Sequence, residues 1–182
     1  MGGTFDPPHL AHLVAGEAAF RQLDLDVVTF IPAGSPWQKA GRTVTDAAHR
    51  WEMTRLAVAG VDYFAADDRE IQREGWTFTI DTLGEFPDDE LFLILGSDTA
   101  ARLPTWRRFD EVIARAVVAV MPRPGTDRGA VDLPVDSMSW LEAPALEVSG
   151  TRLRDIRAGG GSIRFLVPES VNAYIEANGL YA

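Results

Sequence analysis

The sequence has 182 residues, 46% of them hydrophobic, with 17 Lys and Arg against 27 Asp and Glu, a formal net charge of −10. That length fits one domain, the ordinary composition excludes a disordered or fibrous chain, and the acidic balance speaks against a general nucleic-acid binder while leaving room for a local anion site. With no cysteine, disulfides, thiolate nucleophiles, iron–sulfur clusters and Cys-based zinc sites are excluded. The opening MGGTFDPPHL has neither region of a signal peptide, and no apolar run approaches the ~18 residues of a membrane span, so a cytoplasmic protein is expected.

In chain order, Leu10, Leu13, Val14 and Ala18 recur at helical spacing and predict a helix over residues 9–22. Residues 26–31 (DVVTFI) predict a buried strand, 32–45 a loop, and Asp46 caps a helix over 46–59. Residues 61–65 read as a strand, the charged stretch 67–75 as a short edge strand around Ile71, and 78–86 as a helix opened by Thr77. A strand over 90–95, a helix over 105–114 and a buried strand over 116–121 follow. Residues 122–136 form a surface loop, 140–148 a short strand despite Pro144, and 149–158 a Ser-capped helix. Gly159 to Gly161 make a flexible break before a last helix over 168–178, which Gly179 stops.

This alternation predicts an α/β fold with a Rossmann-like, doubly wound, mostly parallel sheet that binds ligands at the carboxyl ends of its strands. One domain spans 1–182, with residues 149–182 as a C-terminal helical part. A Gly-rich turn feeding a helix normally follows a strand, yet Met1 opens directly on the turn. About one strand is therefore expected to be missing ahead of it.

Gly2, Gly3, Thr4, Phe5, Asp6, Pro7, Pro8, His9, Leu10, Ala11 and His12 make the most informative segment. Two glycines allow close backbone approach to a ligand, two prolines fix the entry to a helix, and His9 and His12 share a face at i, i+3. At a helix N-terminus these donors describe a polyphosphate site. The dipole lowers the histidine pKa values and a bound triphosphate raises them; the sequence does not rank the two. Ser149, Gly150, Thr151 and Arg154 start a second capped helix, with Thr151 and Arg154 on one face, able to hold phosphate oxygens by charge-assisted bonds. Taken singly, either histidine and the second segment also fit solvated surface positions.

Together the two segments resemble the nucleotidyltransferases whose signatures are (H/T)xGH and (I/V)SxTxxR. The resemblance narrows to bacterial nicotinate-nucleotide adenylyltransferase, with its GGTFDPxHxGH start. Further matches are Pro32 to Lys39 for a Pro-rich loop ending in Lys, and Phe78-Thr79-Ile80-Asp81-Thr82-Leu83. Gly96-Ser97-Asp98 followed by Trp106, and the ending LVPxxVxxYIxxxxLY from Leu166 to Tyr181, complete the match. The Trp37-Gln38-Lys39 form looks like the actinobacterial branch. This sequence departs from the pattern at Ala11, where the family has Gly, and at Gly150, where it usually has a second Ser.

The resemblance implies adenylyl transfer from ATP to nicotinate mononucleotide, giving deamido-NAD and pyrophosphate in NAD biosynthesis, with Mg²⁺ arriving on ATP and no protein metal cage. It implies that Gly2, Gly3, Thr4, Phe5, His9, His12, Gly96, Asp98, Ser149, Thr151 and Arg154 bind ATP. Among them His12, His9 and Arg154 act in catalysis, and Gly96 and Asp98 hold the ribose. Lys39, Thr79 and Trp106 would meet the pyridine nucleotide, with Trp106 stacked on its ring or, alternatively, in the core. Trp37 reads as a loop anchor, Asp81 and Thr82 as helix stabilisers, His49 and Arg50 as structural, and Asp67 with Asp68 as a solvated strand end. The expected partners are the two substrates, with neither nucleic acid nor membrane, and a homo-oligomer stays open. The competing readings are a related transferase using nicotinamide mononucleotide or phosphopantetheine, and a nucleotide-binding protein without catalysis.

Overall fold

The computed structural model describes residues 1–35 and 44–182. Among these residues six short strands, all parallel, form two three-stranded sheets. Strand β1 (Gly2–Gly3) pairs with β2 (Val28–Pro32), Gly2 opposite Ile31 and Gly3 opposite Pro32, and β2 pairs with β3 (Phe64–Ala66). Strand β4 (Phe92–Gly96) pairs along its whole length with β5 (Val117–Met121), which pairs with β6 (Met138–Trp140). β1 lies beside β4, so the lateral order reads β3-β2-β1-β4-β5-β6. The direction of winding reverses between β1 and β4, the place where such sheets bind ligands. Among the described residues no strand pairing joins the two sheets across that seam.

The expected start on a turn is thus refined. Gly2 and Gly3 hold a central strand position, with the Met1 amino group donating to the Thr29 carbonyl at 2.7 Å and the Met1 carbonyl accepting from Ile31 N–H at 2.9 Å.

Helix α1 (Leu10–Gln22) packs by a face of small residues, Ala11, Ala15, Gly16, Ala18 and Ala19. A Cβ at Gly16 would stand 2.9 Å from the Phe30 ring, so glycine sets how closely this helix lies on the sheet. Helix α2 (Ala47–Val58) begins where Asp46 accepts from Ala48 N–H at 2.8 Å, as expected. One core joins β4 and β5 to the helices over them through Leu93, Leu95, Val118 and Val120. A second lies under α1 around Phe5, Phe30 and Ile94. A third packs α2 against α7 (Gly150–Ala158) and α8 (Glu169–Ala177) through Met53, Leu153 and Ile175. No helix among the described residues is long and apolar enough to cross a membrane.

Four elements differ from expectation. Residues 69–72 form a helical turn, α3 (Arg69–Gln72), in place of an edge strand, because Asp67 accepts from Arg69 N–H and Glu70 turns inward to the Thr82 hydroxyl at 2.7 Å. Helix α4 runs only Thr79–Leu83, entered from extended Phe78 with no side-chain cap from Thr77. The expected helix over 105–114 is a 3₁₀ turn, Leu103–Thr105, then α6 (Phe109–Arg115), divided by Arg108 at a left-handed φ of 55°. Strand β6 ends at Trp140, the first residue of the predicted 140–148 strand, and past it Pro144 has no N–H to give a ladder.

Candidate active site

A cleft of about 560 Å³ opens at the carboxyl ends of β1, β4 and β5. It brings together Gly2, Gly3, Thr4, Phe5, His9, His12, Thr79, Gly96, Asp98, Trp106, Ser149, Thr151 and Arg154, residues up to 152 positions apart. Lys39 and Trp37 lie outside the described residues.

The N-terminal turn is built from the core outward. Phe5, at a φ of 50°, buries its ring against Phe30 and meets the His12 ring edge-on at 4.9 Å. Its ring therefore belongs to the core. The Asp6–Pro7 peptide is cis. His9 is the cap residue of α1, one position earlier than first-turn placement, and stacks on His12 with ring centroids 3.7 Å apart. His9 N–H donates to His12 Nδ1 at 3.1 Å. That bond requires an unprotonated Nδ1, so the neutral His12 ring carries its proton on Nε2. The helix N-terminus is less open than the sequence implies, since the Leu166 carbonyl already accepts from Leu10 N–H at 3.0 Å.

His9 is 2% exposed, and its Nδ1 is buried with no hydrogen-bond partner within normal geometry among the described residues. Burial, reinforced by the nearby Arg123 charge, pushes its pKa from 6.5 down to about 3. Without a bound nucleotide, burial therefore keeps the His9 ring neutral. The unfolded ring takes its proton near pH 6.5, so folding stability contributed at this site is lost as pH falls from there toward 3. In an NMR titration the His9 ring resonances are expected to hold the neutral shift from about pH 8 to pH 5. A midpoint above pH 5.5 would contradict this placement.

On the other wall, Ser149 caps α7, accepting from Arg152 N–H at 3.3 Å. Arg154 donates to the Asp6 carbonyl at 2.7 Å and, at 3.4 Å, to Thr151, its neighbour on the same helix face. A Cβ at Gly150 would stand 2.7 Å from the Asp6 carbonyl oxygen. The departure at Gly150 therefore does more than delete a hydroxyl: it lets α7 approach the turn, and a serine there requires a backbone shift. Ala11 is buried on the cleft side of α1, so its methyl forms part of the wall. At Gly96 a Cβ would sit 2.7 Å from Asp98 Oδ1 and 3.1 Å from Arg123 Nε.

Two residues were not singled out from sequence. Arg123 lies 3.8 Å from Asp98 and donates to the Val148 carbonyl at 3.1 Å. With Arg102, Arg107 and Arg154 it lines the cleft of an otherwise acidic chain, a local positive field suited to anions. Its position just past a buried strand, in Met121-Pro122-Arg123, was the available signal. Asp6, 5% exposed, accepts from the Tyr181 hydroxyl at 2.7 Å and lies 3.7 Å from Arg154.

At the far end Trp106 packs partly against the β4–β5 core, with its indole N–H buried and without a partner among the described residues, and the Arg107 guanidinium lies 4.5 Å over the Phe78 ring. Trp106 thus shares in the core and in the cleft wall. Asp81 pairs with Arg108 at 3.5 Å, Thr82 bonds Glu70, and His49 bonds the Tyr174 hydroxyl at 2.8 Å. Asp67 is engaged by Arg69 at 2.7 Å.

A family model described as cytidylyltransferase-like matches residues 1–156. A probable nicotinate-nucleotide adenylyltransferase of Frankia alni is 45% identical over all of this chain and 98% of its own length. One of Leifsonia xyli is 42% identical over all of this chain and 92% of its own. The fold matches Plasmodium falciparum nicotinic acid mononucleotide adenylyltransferase complexed with NaAD, with a TM-score of 0.80 at 17% identity, covering 99% of this chain and 94% of that one. The likeness to solved structures is one of fold, and the identity to the bacterial relatives is one of lineage. The chain belongs to the cytidylyltransferase-like family and, within it, to the nicotinate-nucleotide adenylyltransferases.

Proposed function

We propose that the chain transfers AMP from ATP to nicotinate mononucleotide, releasing pyrophosphate and forming the deamido dinucleotide. The observation that carries this reading is the meeting of the His9–His12 turn and the Ser149–Arg154 helix start around one cleft. An oxygen of the acceptor's 5′-phosphate attacks the α-phosphorus of ATP. The new P–O bond forms as the bond from the α-phosphorus to the bridging oxygen breaks, and pyrophosphate carries away the electron pair. The attacking phosphate is anionic near pH 7, so no base has to remove a proton. The protein's task is in-line positioning and stabilisation of charge.

In this reading His12 offers its Nε2 proton to the α-phosphate oxygens, and neutral His9 holds His12 in that tautomer through its backbone N–H. Arg154 and Thr151 receive the leaving pyrophosphate, Arg123 adds positive charge beside them, and Asp98 accepts from ribose hydroxyls. Thr79 and Trp106 bound the pyridine end. Among the described residues no group of three or more His, Asp or Glu gathers to hold a metal ion. Mg²⁺ belongs to this proposal as an ion carried on ATP, where it neutralises phosphate charge.

The test is pyrophosphate release with ATP and Mg²⁺, comparing nicotinate mononucleotide, nicotinamide mononucleotide and phosphopantetheine. The nicotinate substrate is expected to give kcat/KM at least tenfold above the other two. Equal or better turnover of another acceptor overturns the substrate assignment. ATP binding without any turnover overturns the enzymatic one.

A further inference from the structure

Asp6 is the least exposed carboxylate at the cleft, and three separated parts of the chain converge on it. The Tyr181 hydroxyl donates to its Oδ1 at 2.7 Å, Thr45 N–H to its Oδ2 at 3.4 Å, and Arg154 reaches both its carbonyl, at 2.7 Å, and its Oδ2, at 3.7 Å. The residue before Asp6 is constrained as well: Phe5 stands at a left-handed φ with its ring in the core. Two residues past Pro7 comes His9. Whatever fixes Asp6 therefore fixes the start of the turn that carries the histidine pair.

Tyr181 is an unusual choice for a mere anchor. It adopts a φ of 63°, a conformation that residues other than glycine, asparagine and aspartate rarely occupy. That backbone turn aims the ring between α2 and α7, against Met53, with the hydroxyl on Asp6. Strain of this kind persists where surrounding contacts impose it, and it concentrates at functional sites. Gly150 supplies the complementary feature, since the absence of a side chain there is what admits the Asp6 carbonyl to the reach of Arg154.

We propose that Tyr181 is a positioning residue for the triphosphate. Through its hydrogen bond to Asp6 it sets the place from which Arg154 and the His9–His12 turn meet the ATP phosphates. The inference rests on the adenylyl-transfer reading for its choice of ligand, and it assigns Tyr181 no contact with the reacting atoms. The burial of the hydroxyl beside the Asp6 carboxylate, which raises the tyrosine's pKa, keeps it a hydrogen-bond donor.

The test compares Tyr181→Phe with Tyr174→Phe. Each deletes one oxygen and keeps its ring, but the Tyr174 hydroxyl bonds His49, away from the cleft lining. Equilibrium binding of ATP with Mg²⁺ is measured without acceptor, alongside steady-state KM for each substrate and thermal unfolding. Tyr181→Phe is expected to weaken ATP binding, and to raise KM for ATP, by about tenfold, as for a lost hydrogen bond to a charged partner. KM for nicotinate mononucleotide is expected to stay within twofold, and Tyr174→Phe to leave both substrates unaffected. ATP binding by Tyr181→Phe within twofold of the parent, or a loss shared equally by both substrates, overturns the proposal. A parent chain that binds ATP and transfers nothing fails the function reading instead, and the binding comparison still decides the role of Tyr181.

Discussion

Replacing His12 by alanine is expected to lower kcat by at least about 10²-fold while the protein stays folded. The imidazole is held on three sides: stacked on His9, met edge-on by Phe5, and bonded at Nδ1 by His9 N–H. This arrangement fixes both the ring plane and the tautomer, so the Nε2 proton needs no reorganisation when charge builds on the α-phosphate. A preorganised donor of this kind contributes through the transition state, which is why the loss should fall on kcat more than on KM. The substitution also removes the acceptor for His9 N–H at the helix start, a cost of about 1 kcal/mol. Thermal unfolding should register that as a fall of a few degrees, separable from the kinetic loss. Turnover within tenfold of the parent would remove His12 from the mechanism.

The second large effect concerns stability. Arg50 is 2% exposed, and its guanidinium donates to the carbonyls of Thr45, Thr4, Ala33 and Gly34, at 2.5 to 3.1 Å. One side chain thus ties the N-terminal turn, the end of β2 and the entry to α2. Methionine fills comparable space but offers no N–H, leaving several buried carbonyls without this donor. Each stranded group carries a desolvation cost of about 1–3 kcal/mol, and part is recovered by relaxation or entering water. Arg50→Met is therefore expected to destabilise the chain by at least about 3 kcal/mol. At roughly 2–4 °C per kcal/mol for this size, Tm should fall by at least about 6 °C. A fall below 2 °C would show that the carbonyls find other donors. Because Thr4 lies in the cleft wall, ATP binding should weaken in the same variant.

Periodicity located the long elements because burial enforces it. The helix at Leu10–Gln22, the strands β2, β4 and β5, and the Asp46 and Ser149 caps all lie within two residues of their predicted bounds. The short elements were not legible. Residues 69–72 lie in a charged stretch, and their helical turn rests on the Asp67 bond to Arg69 N–H together with the meeting of Glu70 and Thr82, which no local pattern announces. Arg108 breaks the 105–114 pattern by a backbone conformation that its residue type does not announce. Both segments proposed to bind phosphate are readable, since glycine, histidine and capping serine at set spacings carry their chemistry locally. Asp6 and Arg123 were not, because the first acts through partners 39 to 175 residues away and the second through a strand end. In the sequence Gly150 is a departure from the family's usual Ser. Only the nearby Asp6 carbonyl reveals it as a space reserved for the main chain.

The seam between β1 and β4 carries a thermodynamic consequence. Each three-stranded sheet is closed by its own ladder, and the two lie side by side without a ladder between them among the described residues. A nucleotide reaching from Gly2–Thr4 on one sheet to Gly96–Asp98 on the other would act as a cross-brace. Its binding free energy would then appear directly as resistance to unfolding, about 2.7 kcal/mol when ATP stands at 100 times its Kd. The substrate of such a protein is also one of its structural members, and its lifetime in a cell would follow the nucleotide supply.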